Sequence, residues 1–558
     1  MNNIGWLSGP VGRSRGLRRN QVNPVNPARS VPRSRNDRRL GANADARSSH
    51  IISQEGAVRK ALRAGARWFR TPGMAVAAMK FAKLPVIPVA HWLLTFALLY
   101  SGVSIAQVPG VAQGIPEPEH RNVIVQLFNW RFDDVRQVIP TLRQLGYSHV
   151  HVSPPEKSNE RVWQWWGRYQ PVDFARIDGP LGSEAEFRAM TAAAEANGIQ
   201  ILVDVVLNHT VDLNDAPPGL VRMAGNQVAE DNFPQFTPQD FHERCNVVSD
   251  ATAERCWLSN NLLDLKTESA HVRQVAKDYL TKLAGLGATG FRFDAAKHIE
   301  TEFFADVLPA VPGKYAFGEL IADRAGGFGS HLSIAEMDYY DFPLVASMRE
   351  AFRFGGDLRM LKNPAADGRA LEGLKAVTFV RNHDIDRGQN NDHGIEDPGG
   401  RDTFGVGWDE AQHRLDRTDV NLAYAYVLGR EDGLPYVFTD MNTLPSAQQD
   451  DRFDDPIIIA GVRFHNLCLA DTGGVARRPD FWRIETPNAI GWQRGTDRFI
   501  VINKAADPLD INNLPTSLRA GQYKEVHTGW PMRVEADGTI QHWAVPPRSS
   551  MMFVRVES

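Results

Sequence analysis

The sequence has no unbroken apolar run of the length that a membrane-spanning helix needs. The apolar stretch Leu84–Tyr100 is interrupted by Pro85, Pro88 and His91. No uninterrupted part of it approaches the roughly 20 residues of a span. The interruptions therefore argue against a permanent anchor, although an uncleaved anchor stays open as the alternative.

The surroundings of this stretch are typical of a secretory signal instead. A charged segment that begins at Met79 precedes it, and the small residues Ser104 and Ala106 follow it at the spacing that a signal peptidase requires. The pattern predicts a signal peptide over residues 79–106, with contact to a membrane only during export. We therefore expect a secreted protein, extracellular or periplasmic.

The front of the chain lacks both sustained apolar periodicity and interleaved aromatic residues. Residues 1–83 hold 17 Lys and Arg against three acidic residues, whereas the whole chain has a formal charge of -4. The rest of the chain therefore carries about −18. A basic arm without aromatics does not favour nucleic-acid binding. We interpret residues 1–78 as a disordered or mis-assigned extension, and we expect no nucleic-acid partner.

Cysteine is scarce, with three residues among 558. Cys245 and Cys256 lie close together in one loop-like region, so we predict that they pair, which suits an exported chain. Cys468 is then left single. At this length the chain has enough residues for one large core and smaller attached domains.

From Asn122 onward, strand-like and helix-like segments alternate. Eight apolar strand patterns with helical patterns between them predict a parallel sheet closed into a (β/α)₈ TIM barrel. We assign residues 107–210 and 263–475 to the barrel and the polar stretch 211–262 to a small inserted domain. Residues 476–558 lose the helical period and read as an antiparallel β domain. The predicted strands are 123–128, 148–152, 199–206, 315–320, 335–340, 376–380 and 434–439, together with the apolar opening of the stretch 290–298.

Ionisable residues collect where these strands end, and barrel enzymes place their chemistry at those ends. Strand four is followed by Asp294, strand five by Glu319 and strand seven by Asp384, so three carboxylates should meet on one rim. His209 and His383 occupy the ends of strands three and seven. A single charge there is usually a solvated strand end, but chance does not readily gather five such residues.

This set suits glycoside hydrolysis, which needs one ionised carboxylate and one protonated carboxyl beside the scissile bond. Arg292 lies two residues before Asp294 on a strand, so both face one side. We expect Arg292 to keep Asp294 ionised as the nucleophile. Apolar neighbours should raise the pKa of Glu319, the acid. The alternative for Arg292 and Asp294 alone is a structural ion pair.

Aromatic residues crowd the loop after strand two. Trp165, Trp166 and Tyr169 stand within the segment 163–171, and Gln170 follows them. Flat aromatic faces complement the apolar faces of sugar rings. The alternative is an aromatic cluster that pins the loop to the barrel, but we favour substrate contact for Tyr169.

Four segments in this order resemble the α-amylase family of retaining glycoside hydrolases: 204–209, 290–298, 317–320 and 379–384. Residues 166–171 form a fifth that is similar to animal-type and related bacterial members. The resemblance implies Asp294 as nucleophile, Glu319 as general acid/base and Asp384 as a transition-state stabiliser. The residues that it implies as sugar contacts are Trp165, Trp166, Tyr169, Gln170, His209, Arg292, Lys297, His298 and His383.

The resemblance also implies a structural calcium ion. Its ligands would be the side chains of Asn208 and Asp264 and the carbonyls of Arg255 and His298, an oxygen-only set that suits a hard cation. Taken alone, Asn208 and Asp264 are as readily ordinary hydrogen-bonding groups.

One departure concerns the chloride ion that animal-type members bind through the strand-four arginine, the asparagine before His383 and a basic residue after strand eight. The first two are present here as Arg292 and Asn382. The position after strand eight where they have a basic residue is Asp440 here. Because an acid there repels an anion, we expect no chloride activation, and Asp440 could pair with Arg292 instead.

These expectations combine into a secreted, monomeric α-amylase that cleaves internal α-1,4-glucosidic bonds of starch or glycogen with retention. A maltooligosaccharide-forming amylase or α-glucan transglycosylase of the same family is the alternative. A non-catalytic relative is disfavoured, because all three carboxylates are present.

Overall fold

In a computed structural model of the chain, a closed barrel of eight parallel strands forms the centre of the molecule. The structure describes residues 108, 110–373, 375–387, 417–430, 432–440, 453–470 and 480–556. The barrel strands are β1 (Ile124–Phe128), β2 (His149–Val152), β3 (Gln200–Val205), β4 (Gly290–Phe293), β5 (Tyr315–Gly318), β6 (Asp338–Tyr340), β7 (Ala376–Phe379) and β8 (Leu434–Asp440).

Helices connect the strands and cover the outside of the barrel. Most barrel-strand residues are buried on both faces, as a parallel sheet requires. The helices between and after the strands are α1 (Phe132–Leu145), α2 (Glu184–Ala196), α3 (Ala270–Gly285), α4 (Thr301–Val307), α5 (Phe342–Phe352), α6 (Arg417–Gly429) and α7 (Pro456–Ala470).

Local sequence sets these boundaries. Helix α2 begins at a capping box in which Ser183 and Glu186 each satisfy the other's backbone N–H. Helix α1 ends at Gly146, whose φ of 103° is left-handed. Gly318 closes β5 at a point where a Cβ would collide with the side chain of Met337. A side chain immediately before Glu319 would therefore require Met337 and its neighbours Ala296 and Tyr339 to move.

The insertion after β3 is built on a short antiparallel pair, His209–Asp212 with Leu262–Asp264. A hairpin of Val221–Ala224 and Gln227–Asp231 extends from it. Cys245 and Cys256 form a disulfide in this insertion, as the sequence predicts, and Cys468 is buried and lies outside that disulfide.

After the barrel comes a seven-stranded antiparallel sheet. Its strands, in spatial order, are Asp480–Glu485, Ala489–Arg494, Arg498–Asn503, Ser549–Arg555, Gly521–Glu525, Pro531–Val534 and Ile540–Gln541. We call residues 480–556 the C-terminal sheet domain. Together with the closed barrel, it confirms the predicted fold class.

The C-terminal sheet domain contacts the barrel helices through buried, partnered polar groups. The Lys504 ammonium lies at the C-terminal end of α5 and donates to three carbonyls, those of Ala351 and Gly356 at 2.6 Å and of Arg353 at 3.2 Å. The Trp492 indole N–H donates to the carbonyl of Gly429 at the end of α6. The C-terminal sheet domain thus supplies hydrogen-bond donors to backbone carbonyls at the ends of α5 and α6, where the helices themselves supply too few.

The predicted elements match the observed ones to within a few residues, with the largest shift in β6, which begins at Asp338 rather than near Ala335. The predicted extension and signal peptide over residues 1–106 lie outside the described residues. No helix in the described part of the chain has the length and apolar character needed to cross a membrane.

Candidate active site

The register of β4 with its neighbours brings the candidate residues to one rim of the barrel. Arg292 pairs with Asp204 on β3 and with Phe317 on β5. Asp294 and Glu319 are the first residues beyond β4 and β5. The strand ends therefore place carboxyl groups around a central arginine.

The Arg292 guanidinium contacts three carboxylates at once. Its Nη1 lies 2.7 Å from Asp204 Oδ1 and 2.8 Å from Asp294 Oδ1, while its Nη2 lies 2.8 Å from Glu319 Oε1. The arginine side chain is fully buried. Asp384, in the short helix His383–Arg387, shares a hydrogen bond with Glu319. We call Asp204, Arg292, Asp294, Glu319 and Asp384 the carboxylate cluster.

Asp204 was not among the predicted site residues, although the sequence holds a signal for it. It is fully buried near the end of β3, where it accepts bonds from Arg292 and from the Tyr169 hydroxyl at 2.9 Å. A lone acid within an otherwise apolar strand pattern needs a buried cation. The register that supplies Arg292 could not be read from sequence.

Four carboxyls around one guanidinium leave a surplus of negative charge, so the cluster retains protons. Burial raises the pKa of Asp294 to about 8 against the lowering effect of Arg292, and raises that of Asp204 to about 6. Burial and the neighbouring Glu319 raise the pKa of Asp384 well above its ordinary range. Shared protons in such a set belong to the group rather than to one residue.

Glu319 behaves oppositely to its sequence-based expectation. Burial acts to raise its pKa, as expected, but Arg292, the bond with Asp384 and the Ala295 N–H hold it below its ordinary value. We predicted that Arg292 would keep Asp294 ionised and that apolar neighbours would raise the pKa of Glu319. In the free protein the guanidinium instead contacts both carboxyls, so the expected difference between the two is reversed.

The backbone beyond β4 is held in an unusual conformation. Ala295 has a φ of 47°, in the left-handed region that residues with a Cβ seldom adopt. Its N–H donates to Glu319 Oε2 at 3.2 Å. Local strain of this kind is retained where surrounding structure enforces it. Here it orients Glu319 and turns the chain toward Lys297 and His298.

A cavity of about 280 Å³ opens above the carboxylates. Ten of the predicted site residues line it, including Asp294, Glu319 and Asp384. Its aromatic and histidine lining consists of Trp165, Trp166, Tyr169, His209, His298 and His383, and the remaining lining includes Lys297, Leu258, Ser259, Leu262 and Ile321.

Ring stacking orders one wall of this cavity. The His383 ring lies between Phe128 and Tyr169, with centroid distances of 4.6 and 5.1 Å. Trp165 meets both Tyr169 and Trp166 edge to face. We call Trp165, Trp166 and Tyr169 the aromatic wall. Rings that hold each other in place present a rigid face to a ligand.

Gln170 does not line the cavity. Its side chain is buried, accepts from Asn159 at 2.8 Å and donates to Asp215 at 3.1 Å. The amide thus fastens the loop after β2 to the insertion. Its neighbour Tyr169 points to the cavity and Gln170 away from it, a distinction that adjacent positions in a sequence pattern do not reveal.

His209 lines the cavity from the start of the insertion. Its Nε2 bonds to the carbonyl of Tyr169 at 3.1 Å, and burial lowers its pKa to about 4. A neutral ring is therefore expected near pH 7. Because a carbonyl only accepts, Nε2 carries the proton.

Two of the predicted calcium ligands, Asn208 and Asp264, lie together at the base of the insertion. The Asn208 amide lies 3.3 Å from Asp264 Oδ1, and both side chains are buried. Within the described residues, Asn208 Oδ1 has no hydrogen-bond partner. The described residues contain no cluster of three or more His, Cys, Asp or Glu suited to a metal, but the predicted set needs only one carboxylate.

The residues named for a chloride site are described in part. Arg292 Nε and Asn382 Nδ2 are buried donors without hydrogen-bond partners in the described part of the chain. The side chain of Asp440, which is predicted to exclude the anion, lies outside the described residues. The absence of chloride activation thus stays a prediction.

Comparison with known proteins agrees with this geometry. The family model "Alpha amylase, catalytic domain" matches residues 132–314. An alpha-amylase from Aeromonas hydrophila is 32% identical over 388 residues, which cover 62% of this chain and 78% of that protein. One from Streptomyces violaceus is 28% identical over 466 residues, covering 79% and 75%.

Solved structures show the same fold. A variant of alpha-amylase I from Eisenia fetida, determined in complex with maltohexaose, superposes with a TM-score of 0.63 at 22% identity, covering 80% of this chain and 99% of that one. The barrel with carboxyls lining a cavity at its strand ends, together with these relatives, identifies a glycoside hydrolase. The chain belongs to the alpha-amylase family.

Proposed function

We propose that this protein is a secreted α-amylase that hydrolyses internal α-1,4-glucosidic bonds of starch or glycogen with retention of configuration. The observation that carries the proposal is the contact of Asp294 and Glu319 with adjacent nitrogens of one guanidinium. This arrangement fits the short separation, about 5–5.5 Å, of carboxyls in retaining enzymes.

In the first step Asp294 attacks the anomeric carbon while Glu319 gives its proton to the departing glycosidic oxygen. The carbon–oxygen bond breaks and a glycosyl ester on Asp294 forms. In the second step Glu319 takes a proton from water, which attacks the same carbon and releases Asp294. Asp384 stabilises the charge that develops between these steps.

Substrate binding has to redistribute the protons of the carboxylate cluster. In the free protein the proton between Asp384 and Glu319 favours Asp384, since their pKa values are shifted in opposite directions. A sugar hydroxyl that donates to Asp384 would stabilise its ionised form. The proton would then pass along the existing hydrogen bond to Glu319, which is the form that the first step requires.

The cavity lining supports a sugar substrate. The aromatic wall offers flat faces to glucose rings on one side, and His209 and His383 line the cavity near the bond to be cleaved. Lys297 and His298 lie on the side of Glu319, where the leaving group departs. We assign the leaving-group sugar to these two residues.

A calcium ion fits the base of the insertion. The unpartnered Asn208 Oδ1 and the buried Asp264 carboxylate are oxygen donors that Ca²⁺ prefers, and the carbonyls of Arg255 and His298 would complete the protein set. Bound there, the ion would supply structural support rather than chemistry. It would hold the insertion against the wall that carries His298. Chelation should lower the melting temperature and calcium should restore it.

Release of reducing sugar from soluble starch tests the proposal, with NMR of the first product to assign its anomeric form. The α-anomer is expected, and initial β-anomer would contradict a retaining Asp294. Product chromatography separates endo-hydrolysis, which gives mixed lengths early, from oligosaccharide-forming or transglycosylating action. Sequencing the N-terminus of the exported protein tests secretion, with cleavage after Ala106 expected.

A further inference from the structure

The disulfide closes a loop of the insertion that lies beside the cavity. We call residues 245–256 the disulfide loop. Besides the Cys245–Cys256 bond, the Thr252 hydroxyl accepts the N–H groups of Val248 and Ser249, and the Trp257 N–H donates to the Cys245 carbonyl at 3.0 Å. A one-turn helix, Asp250–Ala253, is thereby held in a fixed place.

This helix contacts the two residues that follow the turn after β4. The Asp250 carboxylate lies 3.2 Å from Lys297 Nζ, and the Ala253 carbonyl lies 3.1 Å from His298 Nδ1. Asp250 is 86% exposed, so its ion pair alone is weak. The contact to His298 is partly buried and directional. The loop therefore constrains both side chains from outside the barrel.

The contact to His298 also fixes what the ring presents to the cavity. A carbonyl oxygen only accepts hydrogen bonds, so Nδ1 must carry a hydrogen and Nε2 is the ring nitrogen left for a ligand. Lys297 and His298 line the cavity together with Glu319. The Lys297 N–H also donates to the Glu319 carbonyl at 3.3 Å, which ties these residues to the acid.

We propose that the disulfide loop positions Lys297 and His298 to grip the leaving-group sugar, with Asp250 and the Cys245–Cys256 bond as positioning groups. The inference rests on the proposed function, because it needs Glu319 to mark the leaving-group side. It assigns to a disulfide between the exposed Cys245 and the buried Cys256 an effect on the leaving-group half of the substrate only. The aromatic wall and Asp294, on the other half, lie beyond the direct contacts described here.

Two substrates distinguish effects on the leaving-group side of the cleaved bond from effects on the nucleophile side. Maltopentaose places sugars on both sides of the cleaved bond, whereas α-maltosyl fluoride fills only the nucleophile side. With the fluoride, the carbon–fluorine bond breaks as Asp294 bonds to the anomeric carbon, and water then releases maltose and hydrogen fluoride. We would measure kcat/KM on both with the full-length exported enzyme, its C245S/C256S variant and D250N. Calcium is kept saturating and its content per chain is measured.

We expect the double variant to lose about tenfold in kcat/KM on maltopentaose, and D250N about threefold, with less than a twofold change on the fluoride. E254Q is the matched control, since Glu254 is an exposed acid of the same loop and should leave both values unchanged. Reduction of the wild-type disulfide should reproduce the double variant.

Equal losses on both substrates would overturn the inference, because a merely structural disulfide damages both halves alike. Unchanged kcat/KM on maltopentaose in both variants would overturn it as well. If the double variant fails to fold, the ratio of kcat/KM on the two substrates in D250N and in the reduced enzyme still tests the inference. Wild-type enzyme without activity on either substrate would instead reject the proposed function.

Discussion

The carboxylate cluster and the junction with the C-terminal sheet domain handle buried charge in opposite ways. In the cluster, four carboxyls compete for the single Arg292 guanidinium, and the buried Arg292 Nε has no hydrogen-bond partner among the described residues. At the junction, the Lys504 ammonium meets three carbonyl oxygens at hydrogen-bonding distance. One site has too many acids for its cation, and the other has a full set of acceptors.

The difference separates a site built for chemistry from one built for stability. Like charges crowded in a dry pocket raise pKa values and leave protons ready to move, at a cost in folding free energy. A cation that is hydrogen-bonded to neutral carbonyls has no neighbouring group with which to exchange a proton. Substitutions should therefore affect activity at the cluster and stability at the junction.

The largest expected effect is at the nucleophile. Asp294→Asn should lower kcat on starch on the order of 10⁴-fold, because an amide cannot form the glycosyl ester. Its melting temperature should stay about equal, since burial raises the pKa of Asp294 to about 8 and the amide replaces a carboxyl that is mostly protonated at neutral pH. Reducing-sugar assays and thermal melts measure both, with the exposed Asp323→Asn as control. A variant that is both active and unstable would break the comparison.

At the junction the opposite pattern is expected. Lys504→Met should destabilise the protein by about 3 kcal/mol, because three carbonyls at the end of α5 lose their donor, while kcat on starch stays within about twofold. Denaturant unfolding and starch assays provide the two readouts.

Lys362→Met is the matched control, since Lys362 also bridges to the C-terminal sheet domain, through Glu485, but with both side chains partly exposed. It should cost less than about 1 kcal/mol. Equal losses in the two lysine variants would mean that burial of Lys504 is irrelevant to its role.

A third site tests burial of a carboxyl outside the cluster. Glu156 accepts a 2.5 Å bond from the Tyr279 hydroxyl, and burial raises its pKa from 4.5 to about 8. A carboxyl whose pKa rises on folding stabilises the fold fully below its unfolded pKa. That contribution is lost as pH rises through the folded value near 8.

Glu156→Gln removes this dependence and keeps an oxygen for Tyr279. The variant should match wild type in unfolding free energy near pH 4.5 and exceed it by on the order of 2 kcal/mol at pH 9. Glu160→Gln, an exposed change in the same loop, should be neutral at both. A variant no more stable than wild type at pH 9 would show that Glu156 is not held protonated.

The smallest effect is expected at the edge of the cluster. Tyr169→Phe removes the 2.9 Å bond to Asp204 but keeps the ring against His383. We expect a loss of about fivefold in kcat/KM, close to 1 kcal/mol. Tyr424→Phe, a hydroxyl deletion in α6 far along the chain from this wall, controls for simple loss of a buried hydroxyl. Equal activity losses in both would contradict a special role for the wall.

Much of this architecture could be predicted from periodicity, because β1 to β8 are short apolar segments separated by helical ones. Arg292 and Asp294 were expected on one face, and they meet at 2.8 Å. What sequence could not supply was register and direction: Asp204 reaches Arg292 only through the pairing of β3 with β4. Gln170 turns away from the cavity although its neighbour Tyr169 faces it. The protonation order of Asp294 and Glu319 likewise depends on contacts between distant segments.

The Lys504 contacts have a consequence for the time course of synthesis. The carbonyl of Gly356 lies 148 residues before the lysine that binds it. At about 5–20 residues per second, a ribosome needs roughly 7–30 s to make the intervening chain. During that interval the carbonyls at the end of α5 lack the donor that Lys504 provides. The barrel should therefore leave the ribosome with this end of α5 incompletely hydrogen-bonded. We expect late chaperone contact and protease sensitivity to concentrate there until the last sheet docks.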